Sequence, residues 1–205
     1  MKKINFVVAA AFALSVSAQA HQAPAISAQA LSAAAQVMGK VKATSNMINW
    51  AIGDFHNFTM EMEGMGALGS GHKEVTKEEP AQNAFWYVQK MDVMGQAQNV
   101  ETLMSRADGK VLRQIVNGEE KAVGGGDDAG NNIEIIEQSE TEVTVPAGKF
   151  DCMYIKAKFT QDGQTQEVEL WVNPIDVNLD GMLKMVMQSQ FGPIAIILQD
   201  FGPKK

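Results

Sequence analysis

The chain has 205 residues, 45% hydrophobic and 20% charged, with 17 Lys and Arg against 24 Asp and Glu for a formal net charge of −7. That length fits one ordinary domain with its own core, and an acidic balance without clustered Lys and Arg argues against nucleic acid and against docking on anionic lipid. Cys152 is the single cysteine, so stability must come from burial and strand pairing with no internal disulfide.

Lys2 and Lys3 precede an apolar run from Ile4 to Val16, and Ala18-Gln19-Ala20 supplies the small-x-small pattern that a signal peptidase cuts. Residues 1–20 therefore read as a signal peptide cleaved after Ala20, and the protein is expected in the periplasm or the medium. The run is too short for a permanent membrane span, and no cysteine follows the cut to take a lipid. Residues 21–30 carry little apolar bulk and read as a flexible lead-in. Residues 31–205 read as a single antiparallel β domain that opens with a helix: Leu31, Ala34, Ala35, Met38 and Val41 recur at helical spacing.

After Asn46 the period changes to two. His56, Phe58, Met60 and Met62 share one strand face, with Asn57, Thr59 and Glu61 on the other. Residues 64–69, Gly-Met-Gly-Ala-Leu-Gly, spell a dinucleotide fingerprint. Ser-Gly-His-Lys follows where that motif needs an apolar helix, so the segment reads as a loop. Phe85–Gln89, Val100–Ser105 and Lys110–Val116 are short β-rich runs, with Asp108-Gly109 and Asn117-Gly118 as hairpin turns. The Gly-, Asp- and Asn-rich stretch at 124–132 reads as an exposed loop.

The last third is the most regular. A strand within Ile133–Thr144 leads to a turn at Pro146-Ala147-Gly148, and Met153, Ile155, Ala157 and Phe159 then face one way up to Asp162-Gly163. The return strand sets Val168, Leu170 and Val172 against Glu167, Glu169 and Trp171. Leu183, Met185 and Met187 share the face of a further strand, and Ile194–Leu198 is almost wholly apolar. One helix and eight to ten strands imply a mainly β (α+β) fold, a curved antiparallel sheet or half-barrel with the N-terminal helix on it.

The residues Val143-Thr144-Val145-Pro146-Ala147-Gly148-Lys149-Phe150-Asp151-Cys152 resemble the V-P-A-G-x-F-x-C turn of uncharacterised secreted bacterial β-proteins. Trp171-Val172-Asn173-Pro174, Gly181-Met182-Leu183-Lys184, Phe201-Gly202 and Ala51-Ile52-Gly53-Asp54-Phe55 resemble the later strands and the first strand of the same proteins. The resemblance covers residues 50–202. It implies the architecture of the periplasmic lipoprotein carriers LolA and LolB, an incomplete barrel that shelters acyl chains, and it carries over no functional residue.

Thioethers and imidazoles favour Cu(I), and Met60, Met62 and Met65 stand near His56 and His72 in sequence, with His21 at the new amino terminus. The competing reading, flexible apolar side chains packing one strand face, is preferred. Asp176, Asn178, Asp180 and Gly181 match the first half of a calcium loop, but Met187 stands where a bidentate Glu should close the shell, and a turn explains the same residues. Ser70 beside His72 lacks a nucleophile elbow, and Cys152 beside Asp151 lacks a basic neighbour to lower its pKa. No catalytic residue, cofactor or metal site is therefore assigned.

The expectation is a non-enzymatic, monomeric protein with an apolar concavity lined by Phe58, Met60, Met62, Phe159, Leu183, Met185 and Met187, and a lipid or other hydrophobic small molecule as ligand. The alternative is a structural module that contacts another envelope protein through a sheet edge or the Gly-rich loop. A copper- or calcium-binding role ranks below both.

Overall fold

The computed structural model describes residues 50–121, 132–161, 164–189 and 192–203. The expected signal peptide, lead-in and helix lie outside these residues, as does the Gly-rich stretch up to residue 131. The described residues form eleven strands, more than the eight to ten read from the sequence. They are β1 (Asp54–Met62), β2 (Gly66–Glu79), β3 (Ala84–Val93), β4 (Gln96–Ser105), β5 (Val111–Val116), β6 (Glu119–Lys121), β7 (Asn132–Val145), β8 (Gly148–Gln161), β9 (Gln164–Val172), β10 (Met182–Ser189) and β11 (Gly192–Pro203).

All eleven belong to one antiparallel sheet, in the order β6-β5-β4-β3-β2-β1-β11-β10-β9-β8-β7. The first and last strands meet at its centre, where Met60 pairs with Ile196 and Met62 with Ile194. The two edges, β6 and β7, are neighbours in the chain. Following the antiparallel pairs outward from the centre shows that these edges run in the same direction. Joining them would take a parallel pairing in an otherwise antiparallel sheet, because alternation around a closed ring needs an even number of strands. Eleven strands leave the sheet open.

The period-two pattern decides which face is inside. On β1 the buried residues are Asp54, His56, Phe58, Met60 and Met62, alternating with partly exposed ones. Ile194, Ile196 and Leu198 continue that face on β11, Met185 and Met187 on β10, Val168, Leu170 and Val172 on β9, and Ile155 and Ala157 on β8. β7 lies three strands beyond β10 in the ladder yet touches both β10 and β11. The sheet therefore curls at this end, and Val145 packs with Leu183 and Leu198.

The turns follow local chemistry. Asn117 and Gly118 have φ of 51° and 84°, the left-handed pair of a type I′ hairpin that matches strand twist. Met94 and Gly95 do the same between β3 and β4, with φ of 53° and 78°. The expected loop at residues 64–69 is corrected: after Gly64 and Met65, β2 begins at Gly66. Its glycines answer to close neighbours. A Cβ at Gly69 would lie 1.9 Å from the Asp92 carbonyl oxygen, and one at Gly71 would lie 2.1 Å from the Phe58 ring, which rests on the strand at that point.

Candidate functional site

Five of the seven residues expected to line a concavity come together. Phe58, Met60, Met62, Met185 and Met187 share one buried cluster with Met91, Met182, Leu170 and Ile196. Leu183 is buried in a separate cluster with Val177 and Leu198. Phe159 pairs with Ile133 and Gln166 in the ladder, and its side chain lies outside the described residues. None of the other six is more than 3% exposed, so these residues belong to filled apolar clusters. A shallow depression of about 640 Å³ lies on the opposite, exposed face, where Asn57, Thr59, Ser70, His72, Lys90 and Asp92 line it.

Beside the methionines stands a buried polar node absent from the sequence reading. Lys73 on β2 donates to Asp180 Oδ2 at 2.7 Å, and its ammonium lies 5.4 Å from the centre of the Phe58 ring. His56 on β1 is fully buried, with Nε2 3.1 Å from Asn178 Oδ1 and Nδ1 3.4 Å from Asp180 Oδ1, the latter without good hydrogen-bond alignment. Burial alone would push the Asp180 carboxyl up, but Lys73 and His56 outweigh it and hold the group well below the usual carboxylate range. Burial likewise opposes charge on Lys73. Asp180, with help from Tyr87, still keeps its amine well above its ordinary value, whereas burial pushes the Tyr87 phenol up.

Asp180 reaches this node from the β9–β10 connection. Asn173 shapes the start of that connection: its side-chain oxygen accepts from the Ile175 and Asp176 amides at 3.0 and 2.9 Å, and its amide donates to Asp176 Oδ2 at 2.7 Å. Val177 and Leu179 then turn inward and are buried, Val177 against Leu183 and Leu198 and Leu179 against Val75 and Phe85. Leu179 has φ of 52°, a left-handed conformation that costs a residue with a Cβ. Gly181, at φ 69°, is needed because a Cβ there would come within 2.8 Å of Pro174 Cα.

This geometry uses the calcium-loop side chains otherwise. Asp176 is held by Asn173, Asn178 faces His56, and Asp180 faces the Lys73 ammonium, so a protein cation occupies the place the sequence pattern offered to a metal. Among the described residues no three His, Cys, Asp or Glu side chains converge as metal ligands. The copper set is dispersed too. Met60 and Met62 are in the core, Met65 is exposed in the β1–β2 turn, and His72 bonds Asn57 and Glu74 on the outer face. His21 lies outside the described residues. Burial and then Asp151 raise the pKa of the Cys152 thiol, which disfavours the reactive thiolate.

No protein-family model matches the chain, and no curated protein is significantly similar to it in sequence. Several solved structures are similar to this chain. A Bacteroides fragilis protein described as exported, with a YmcC-like fold, is 10% identical over 77% of this chain and 99% of its own, at a TM-score of 0.45. A Parabacteroides distasonis protein described as a lipoprotein is 7% identical over 74% and 96%, at 0.40. MucB, solved in complex with MucA(peri), is 14% identical over 74% of this chain and 50% of its own, at 0.35. Among the described residues no helix is long and apolar enough to cross a membrane.

Proposed function

We propose that this is an exported, non-enzymatic β-protein whose inner sheet face takes up a lipid or similar apolar molecule. One observation carries the reading: Met60, Met62, Met91, Met182, Met185 and Met187 share a single buried cluster on the inner side of an open sheet. Methionine is unbranched and changes rotamer cheaply, so a wall built from it can repack around ligands of different shape. The cluster is filled, and uptake would therefore displace side chains instead of entering a ready-made void. The test is native mass spectrometry of protein purified from its own envelope fraction, followed by organic extraction. The expected result is a mature chain starting at His21 with a lipid adduct. A clean apo mass, together with failure of the folded protein to bind Nile red, would overturn the proposal.

A second reading, a protein-interaction module, is favoured by β7. This edge strand is exposed from Glu134 to Glu142, and Ile135 and Ile136 are among its exposed residues. Lys156 and Lys158 are engaged by Glu167 and Glu169, leaving Glu134 and Glu137 beside them without an ion pair among the described residues. A basic segment could add as a further strand there. Hydrogen exchange on a cross-linked envelope complex should then show protection of β7, and unchanged exchange along β7 would remove this reading.

A further inference from the structure

We infer that Lys73 is an anion subsite for the carboxylate of a single-chain amphiphile, and that Asp180 with its loop occupies that subsite in the ligand-free protein. The inference rests on the proposed uptake of an apolar molecule and names the headgroup that such a ligand would carry.

The loop itself resembles a bound amphiphile in chemistry. Within four residues it places two buried apolar side chains, Val177 and Leu179, and one carboxylate, Asp180, against the inner face. The carboxylate meets a buried ammonium and the apolar groups meet the sheet. Lys73 also adjoins the methionine cluster, because the Phe58 ring that it overlies belongs to that cluster. A carboxylate bound at Lys73 would therefore have its chain pointed toward the flexible, apolar end of the interior.

The loop is not a strand: the Gly181 amide closes its turn on the Asn178 carbonyl at 3.0 Å around Leu179, which holds a left-handed backbone conformation, and Asp180 Oδ1 accepts from the Met182 amide at 3.2 Å. His56 and Asn178 complete the node, so a ligand carboxylate arriving at Lys73 would inherit the imidazole that now faces Asp180. The group being replaced is a carboxylate, and that selects a fatty acid over a neutral lipid of equal length. A buried ammonium left without its counter-charge is costly, so exchange of one carboxylate for another is the route open to it.

The test compares laurate with 1-dodecanol as competitors for Nile red bound to the full exported chain, in wild type, Asp180→Asn and Lys73→Met. Laurate should compete at about tenfold lower concentration than dodecanol, the ratio for one favourable charge contact of about 1.4 kcal/mol. Asp180→Asn should tighten laurate further without changing dodecanol, and Lys73→Met should make the two equal. Hydrogen exchange at residues 175–181 should rise with laurate. Equal binding of both competitors in wild type and in Asp180→Asn would overturn the carboxylate subsite and leave apolar uptake standing. Binding of neither competitor, or of Nile red itself, would overturn the uptake on which it rests.

Discussion

The two halves of the sheet bury different chemistry on the same inner face. Strands β8 to β11 bury Ile155, Ala157, Val168, Leu170, Val172, Met182, Met185, Met187, Ile194, Ile196 and Leu198 there among their described side chains, with no polar group. Strands β2 to β5 bury Lys73, Gln89, Thr102 and Gln114 among their apolar residues. Register makes these polar residues neighbours: Lys73 pairs with Gln89, and Thr102 with Gln114. The interior thus has an end held by dispersion and an end where charges and hydrogen bonds must be matched, and the β9–β10 loop brings Asp180 to the second.

The largest effect in breaking this contrast should come from the polar half. Asp180→Ala strands the Lys73 ammonium in a buried site and should cost about 3–5 kcal/mol of stability in urea unfolding; a loss below about 1 kcal/mol would mean that the pair is solvated and the contrast false. In the apolar half, Leu170→Ala removes a fully buried side chain and should cost about 3 kcal/mol through lost transfer and a residual cavity. Its loss should be independent of pH. The third and smallest effect sharpens the comparison. Asp180 has a depressed folded pKa, so its contribution is complete above its ordinary value of 3.8 and is lost as pH falls from there through the folded pKa. Lys73 has a raised folded pKa, so its contribution is complete below 10.5 and is lost as pH rises from there. The stability gap between wild type and Asp180→Asn should be widest between about pH 5 and pH 9 and shrink beyond both limits. A gap that varies through neutral pH would show that another group governs the node.

Most strands were legible because one face is buried and the other wet. Alternation marked β1, β8 and β9 plainly, and Asn117-Gly118 marked its hairpin. β2 was illegible at its start because Gly66, Gly69 and Gly71 read as punctuation, whereas Gly69 and Gly71 admit a carbonyl and an aromatic ring from the neighbouring strands. That close approach is tertiary and leaves no local trace. The methionine faces followed from period two, but whether they enclose a void or a filled core depends on how the sheet curls. Asp176, Asn178 and Asp180 were recognised as oxygen donors at alternate positions. Their partners were not, since Lys73 lies 107 residues from Asp180, in a strand whose first residues read as a loop.

The central seam bears on how the chain acquires its shape. β1 finds β11 only across more than 130 residues of sequence, whereas the other neighbours in the ladder are consecutive strands joined by short connections. As a chain is delivered amino-terminus first, the meander from β1 to β6 can assemble early, but Phe58, Met60 and Met62 lack their covering neighbours until Gly192–Pro203 arrives. Closure of so long a loop is slow, and an apolar strand waiting for it is exposed to wrong partners. The middle of the sheet is the last part to be finished, and a chain shortened at its carboxyl end loses its centre before its margins.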